Sequence, residues 1–524
     1  MIQPDFRTFA KLAKQGNLVP VYETFTADLL TPVGAHLRLA KDAKYSFLLE
    51  SVEGGENIAR YTFTGANPEE VFRSRGTAAT ITDHRGVTRT LSANCAALTK
   101  PNSKRRKVTI KDTGQDPTKS LDPIEQLRTL IGRYHPVRVP GLPPLIGGAI
   151  GYFAYDMVRL VESIPASGVD ELHLDDCVMM FYLGLVAFDH VRHRVWIIRN
   201  VYTDSPGSLR QKYNAAKREI ARTRGALAAP LPAQRRARAT KPLKVKSNFT
   251  KAQYMAAVNQ AKQYIRAGDV FQVVPRQRFS ADTPADPFEI YRALRVVNPS
   301  PYLYFLHLDE VSVVGSSPEM LVKVQGRNAS YRPIAGTVPR GRDEAEDLAL
   351  ESKLLADPKE RAEHIMLVDL GRNDLGRVCE YGSVAVERLM FVERYSHVMH
   401  LVSSLRGKLR EGVDCFDALM ACFPAGTLSG APKISAMQII DELEPVRRGI
   451  YAGAILYLDF SGNLDSCIAL RTLVAKNGRA YIQAGGGVVA DSVPASEYQE
   501  TVNKARAIVT ALEIAHNGKE RRKK

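Results

Sequence analysis

Two glutamate pairs, Glu360 with Glu363 and Glu497 with Glu500, have the spacing to work together. A separation of three residues puts both members of a pair on one side of a helix that turns about 100° per residue. In DPKERAEHIMLVDL, Glu360, Glu363, Leu367 and Leu370 share a face, so two carboxylates lie on the apolar side. An unpaired buried carboxylate costs on the order of several kcal/mol, and convergence on a hard divalent cation such as Mg²⁺ removes that cost. Helix-start chemistry is the plainer alternative. Glu360 falls where a capping-box glutamate partners Asp357, and both pairs sit near helix N-termini that favour negative charge. That accounts for Glu360 and Glu497, but not for Glu363 above an apolar stripe.

Three glycine-rich segments could present backbone amides to an anion: IAGTVPRG (Ile334 to Gly341), PAGTLSGAPK (Pro424 to Lys433) and QAGGGVVADS (Gln483 to Ser492). None has the spacing of a nucleotide P-loop. Arg471 in the strand-like CIALRTLV, Tyr451 in GIYAGAI and His400 in the alternating YSHVMHLVSSL complete the reactive inventory. Spacing alone leads to a domain that binds an anionic small molecule with Mg²⁺; it leaves the reaction open.

The elements that must hold these groups follow from pattern. An Ala/Pro-rich basic stretch at 223–247 reads as a linker between a first part, 1–222, and a second, 248–515, with a basic tail at 516–524. After the linker, Thr250 and Gln253 make a capping box, Phe249 and Tyr254 occupy staple positions, and Gly268 is a stop. Strand-like runs then alternate with helices expected at Asp357–Leu370 and Pro494–Leu512, giving an α/β or α+β class. In the second helix, Tyr498, Val502, Ala505, Val509 and Leu512 form the expected buried stripe, with Glu497, Glu500 and Lys504 along its edge.

The net charge of +16 is concentrated in the linker, in Lys104 to Lys107 and in the tail, which argues against a nucleic-acid-binding face. The rival this charge motivates, a basic scaffold on an inactive fold, is opposed by the intact candidate residues. The six cysteines (Cys95, Cys177, Cys379, Cys415, Cys422, Cys467) show neither CxxC nor zinc spacing, so reduced buried thiols are expected. The longest apolar runs are too short to span a bilayer, and MIQPDFRTFAKLAK has no signal-peptide core, so a cytoplasmic protein with no membrane contact is expected.

Taken together, GDVFQVVPRQRF, NPSPYLYF, GSSPEMLV, RPIAGTVPRG, ERAEHIMLVDLGRNDLGRV, HVMHLVSSL, FPAGTLSGAPK, IALRTL and QAGGGVVADSVPASEYQETVNKA closely resemble the chorismate-utilising enzymes, and among them the large-subunit (component I) family of anthranilate synthases. The match covers essentially all of 249–513. It is weaker in the first part, through LLESVEGGENIARYTFTG and GGAIGYFAYDMVR. The resemblance implies a two-part sandwich of antiparallel sheets flanked by helices. It also implies a reaction in which ammonia adds at C2 of chorismate with loss of the C4 hydroxyl, followed by elimination of pyruvate to leave anthranilate.

Carried onto this sequence, the resemblance makes Glu363 and Glu500 Mg²⁺ ligands, with Glu360 and Glu497 as outer carboxylates. Gly336, Thr337, Tyr451, Arg471, Gly485, Gly486, Gly487 and Lys504 become chorismate contacts. Glu319 is the implied general acid for the departing hydroxyl, Thr427 its neighbour, and His400 a participant in pyruvate elimination. Gly486 stands where alanine is usual, which loosens the loop without removing its amides.

Two positions separate the branches. Relatives that add water carry a lysine base where this chain has Gln272. Aminodeoxychorismate synthase component I, the alternative reading, carries a nucleophilic lysine where this chain has Ala335. The resemblance also implies a separate glutamine amidotransferase subunit (component II) as ammonia source, a heterotetramer, and feedback inhibition by L-tryptophan. Its implied tryptophan contacts are Leu49, Glu50, Ser51, Pro301, Tyr302 and Leu303, the last often methionine in relatives.

Overall fold

The computed structural model describes residues 1–26, 28–51, 60–91, 122–233, 241–395 and 398–518. Cys95, Lys104 to Lys107, residues 234–240 of the expected linker and 519–524 of the expected tail lie outside them. Among the described residues two twelve-stranded sheets carry the fold, and every ladder between named strands is antiparallel. The first sheet runs from Ile2–Gln3 through Leu18–Thr26, Arg194–Tyr202, Gly184–Asp189, Tyr61–Ala66 and Tyr45–Glu50. It continues through Tyr302–Leu308, Val311–Ser317, Thr472–Lys476, Arg479–Gly485, Arg276–Asp282 and Lys246–Ser247. The second joins Met320–Gln325, Ala454–Asp459, Leu464–Ile468 and the ladders around Val398–Lys408 to Gly148–Phe153, Cys177–Tyr182 and Glu70–Arg75.

Both sheets therefore contain strands from each side of the expected linker. Tyr45–Glu50 pairs with Tyr302–Leu308 in one, and Gly148–Phe153 with Ala454–Asp459 in the other. The two sequence parts share their cores: Phe47, Tyr152 and Met180 from the first pack with Tyr304, Ile455 and Cys467 from the second. Helices cover the outer faces. Pro287–Val297 and Pro494–Asn517 pack on the first sheet, and Pro123–Gly132, Pro358–Gly376 and Cys415–Cys422 on the second.

The linker boundary moves. Helix Leu209–Ala228 runs through the position where the sequence pattern ends the first part. It is started by the Ser208–Gln211 capping box and anchored by buried Leu227. Strong helix formers in RTRGALA carry it on until Pro230 forbids continuation. At the far end Lys246–Ser247 already pairs with Phe279 and Ser280. The tail boundary moves as well. The last helix ends at Asn517, and buried His516 donates from Nε2 to Lys241 O at 2.8 Å. Cys177, Cys379, Cys415, Cys422 and Cys467 are buried free thiols. Among the described residues no helix is long and apolar enough to cross a membrane.

Candidate active site

Two helices present the glutamates. Pro358–Gly376 begins on Asp357, whose carboxylate accepts from the N–H groups of Lys359 and Glu360, with Pro358 in the first turn. Glu360 does not close a capping box; its carboxylate faces the Ile334–Pro339 strand instead. There Gly336 adopts φ +64°, and a Cβ on it would stand 2.9 Å from Glu360 Oε2. Glycine is what lets the strand pass so close.

The helix Pro494–Asn517 is rotated from its expected setting. Its buried side is Glu497, Thr501, Ala505, Ile508 and Leu512, while Tyr498, Val502 and Val509 are half-buried. Apolar spacing misjudges this face because Thr501 is paid for by a 2.6 Å bond from Gln277 Nε2 and Glu497 by one from Ser492. Glu497 thus lies on the packed face rather than along the edge.

The glycine loop 485–487 closes against both helices. A Cβ on Gly486 would meet Glu497 Oε2 at 3.2 Å and Glu500 Cδ at 3.8 Å; one on Gly487 would meet Gln272 Nε2 at 2.6 Å. Gln272 donates to Glu363 Oε1 at 3.2 Å. Lys504 pairs with Glu500 Oε1 at 2.6 Å and donates to Gly485 O at 3.1 Å. Burial and then the neighbouring Glu363 hold the Glu360 carboxyl above the usual range. Burial does the same for Glu497, opposed by the Ser492 bond and reinforced by Glu500. Glu497 Oε2 is buried with no hydrogen-bond partner among the described residues. Mutually repelling carboxylates with an orphaned oxygen suit a hard divalent cation. Among the described residues no group of three or more His, Cys, Asp or Glu side chains is placed to hold a metal ion.

A second group lies beyond the loop. Glu319 is buried, and desolvation pushes its carboxyl up to about 8. The Thr427 hydroxyl and the Ile334 N–H oppose that shift, as do the charges of Lys504 and Arg471. Thr427 Oγ1, on the short helix Gly426–Ser429, reaches the Glu319 carboxyl without the alignment of a full hydrogen bond. His400 Nδ1 lies 3.1 Å from Gly336 O and 3.0 Å from Thr337 Oγ1. A carbonyl only accepts, so Nδ1 carries the proton and Nε2 is the acceptor. Burial lowers this imidazole to about 4, leaving it neutral at pH 7.

Arg471 is not within a strand. It lies at a crossover, with φ +48°, between Leu464–Ile468 of one sheet and Thr472–Lys476 of the other. Among the described residues it makes no ion pair, so its fork is available to a carboxylate. Tyr451 is buried, with its hydroxyl 3.1 Å from where a Gly485 Cβ would be. The sequence reading missed its support. Arg448 grips Glu444 with bonds of 2.7 and 3.0 Å, donates to Leu428 O beside Thr427, and lies 5.7 Å from the Tyr451 ring centroid. The four-residue Glu–Arg spacing before GIYAGAI was the available signal.

A cavity of about 520 Å³ lies apart from the carboxylates, at the seam between Tyr45–Glu50 and Tyr302–Leu308. Leu49, Glu50, Ser51, Pro301, Tyr302 and Leu303 all line it. Ser51 Oγ is buried without a partner among the described residues, whereas the Glu50 carboxylate is already held by Tyr291 and by Arg295 at 2.9 Å. Leu303 packs its side chain with Leu48 and Phe305 on the helix-covered face.

An antiparallel sandwich that brings together carboxylates, glycine loops and an arginine unpaired among the described residues has the chemistry to take a small polyanion. The chain belongs to the chorismate-binding enzyme family, whose pattern matches residues 78–510. It is similar to anthranilate synthase component 1 of Acetivibrio thermocellus, with 45% identity over 98% of this chain and 99% of the relative. Against the component 1 of Mycobacterium tuberculosis H37Rv, identity is 45% over 97% and 95%. The crystal structure of anthranilate synthase component I from Streptococcus pneumoniae TIGR4 superposes with a TM-score of 0.72 at 36% identity, covering 92% of this chain and 98% of that one. The menaquinone-specific isochorismate synthase of Escherichia coli shares the fold at 18% identity, with a TM-score of 0.67 and coverage of 97% and 98%.

Proposed function

We propose that this chain converts chorismate and ammonia to anthranilate and pyruvate, as the large subunit of a cytoplasmic anthranilate synthase. The observation that carries the choice of chemistry is Gln272: its amide donates to Glu363 where water-adding relatives place a lysine base. Ala335, buried on its strand, offers no nucleophile for the aminodeoxychorismate route.

Glu363 and Glu500 would hold Mg²⁺, with Glu360 and Glu497 orienting that shell. When bound there, Mg²⁺ supplies Lewis-acid polarisation of the substrate's ring carboxylate and offsets developing charge. Arg471, Tyr451, Thr337, Lys504 and the amides of Gly336 and Gly485–Gly487 hold and orient chorismate. Glu319, neutral below about pH 8, gives its proton to the C4 hydroxyl, which leaves as water beside Thr427 while ammonia bonds to C2. In the second half the C2 proton leaves and the C3–O bond breaks, and the enolpyruvyl group departs and gains a proton to become pyruvate. His400 takes a proton in this half at Nε2, which has no partner among the described residues.

A separate glutamine amidotransferase subunit supplies ammonia in a heterotetramer, and L-tryptophan inhibits from the 520 Å³ cavity. Product analysis tests the reading. The chain with chorismate, Mg²⁺ and ammonium is expected to yield anthranilate; 4-amino-4-deoxychorismate as product would replace it.

A further inference from the structure

We infer that Tyr395, its hydroxyl held by Glu393, positions the His400 ring and transmits occupancy of the 520 Å³ cavity to it; this rests on the function proposed above. Tyr395 lines the cavity on one side. On the other, its ring meets the His400 ring edge to face, with centroids 5.5 Å apart and planes at 64°. Among the described residues His400 makes its hydrogen bonds through Nδ1, to Gly336 O and Thr337 Oγ1, which fixes one edge of the imidazole. The tyrosine ring supplies the second constraint.

Tyr395 is itself fixed. Its hydroxyl donates to Glu393 Oε2 at 2.9 Å, Glu393 Oε1 takes Arg332, and Arg340 Nη1 donates to Tyr395 O at 2.8 Å. Glu393 and Arg332 also line the cavity, so a ligand seated there touches the tether as well as the ring. The same wall reaches Glu319: in the connection between strands Val311–Ser317 and Met320–Gln325, Pro318 and Met320 line the cavity while Glu319 between them turns toward Thr427. Tyr395 is a positioning residue; it meets His400 and the cavity, and the reacting atoms are left to His400.

The test compares full-length wild type, Tyr395→Ala and Tyr395→Phe with chorismate, Mg²⁺ and ammonium. Chorismate consumption, anthranilate and pyruvate are followed together, and L-tryptophan binding is measured by calorimetry. Tyr395→Ala is expected to slow pyruvate release about tenfold, with chorismate KM within about twofold. Chorismate consumption then exceeds pyruvate release, because the aminated intermediate accumulates; a mere loss of folded protein lowers both in step. Tyr395→Phe, which keeps the ring and loses the Glu393 bond, is expected to recover most of that rate. Saturating tryptophan should still bind it with little change in Kd but inhibit it less. Where Tyr395→Ala does not fold, Tyr395→Phe alone decides. Pyruvate release and tryptophan inhibition both matching wild type, or losses of consumption and release in step, would overturn the inference. A wild type that makes no anthranilate overturns the function itself, and this inference with it.

Discussion

Gln272 donates from Nε2 to Glu363 Oε1 across 3.2 Å, so an amide and not an ammonium faces the carboxylate group. A lysine there would place a positive charge against Glu363 and compete for the same oxygens. Gln272→Lys is expected to raise the Mg²⁺ concentration for half-maximal activity about tenfold, the usual size of effect for a partner behind a metal ligand. Mg²⁺ titration of anthranilate formation measures this, and an unchanged midpoint would separate Gln272 from the metal site.

Glu319 supplies a pH signature. Desolvation raises its carboxyl to about 8 from the ordinary 4.5, so the proton-donating form prevails at neutral pH and is lost above that value. Turnover is expected to fall as pH rises through about 8, and Glu319→Gln to lower it by about 100-fold or more. Stability carries the same sign. Between 4.5 and about 8 the folded chain keeps a proton that the unfolded chain has released, so this group's contribution weakens with rising pH. Denaturant titrations of wild type and Glu319→Gln across that window should show the wild type losing more.

Local chemistry was well marked in the sequence. The Thr250–Gln253 capping box, the Phe249–Tyr254 ring contact at 5.9 Å and the Gly268 stop at φ +89° all stand where spacing put them. Long-range pairing was not marked. Nothing local to Tyr45–Glu50 says that its neighbour is Tyr302–Leu308, so a linker looked like a domain boundary while the sheets cross it. Glu497 was misplaced for a related reason: a buried polar face looks exposed until its partners, here Ser492 and the loop at Gly486, are known. Tyr395 stands two residues from Glu393, a strand spacing, but its ring contact with His400 has no such period and gave no signal.

The seam cavity gives an inhibition prediction. Ser51 Oγ is buried there without a partner among the described residues, and a phenyl group in its place would occupy the space a ligand needs. Ser51→Phe is expected to keep ammonia-dependent turnover within about threefold of wild type while raising the tryptophan concentration for half inhibition at least tenfold. Inhibition curves for the two proteins check it, and coincident curves would move the inhibitor elsewhere.

Glu500 tests the carboxylate cluster itself. Its Oε1 is paired with Lys504 at 2.6 Å, and its carboxyl faces the Gly486 loop. Glu500→Gln preserves shape and removes charge, so the circular dichroism spectrum should be retained while Mg²⁺-dependent turnover falls below about 1% of wild type. A normal Mg²⁺ response in that variant would refute the assignment.

The most direct measurement is stoichiometry. The purified chain alone, given chorismate, Mg²⁺ and excess ammonium, is followed by anthranilate fluorescence and coupled pyruvate detection. The proposed reaction gives equal amounts of the two products, none with glutamine as sole nitrogen source, and glutamine-dependent turnover once a glutaminase subunit is added. Chorismate consumed without anthranilate, or pyruvate released with no aminated product, would contradict it.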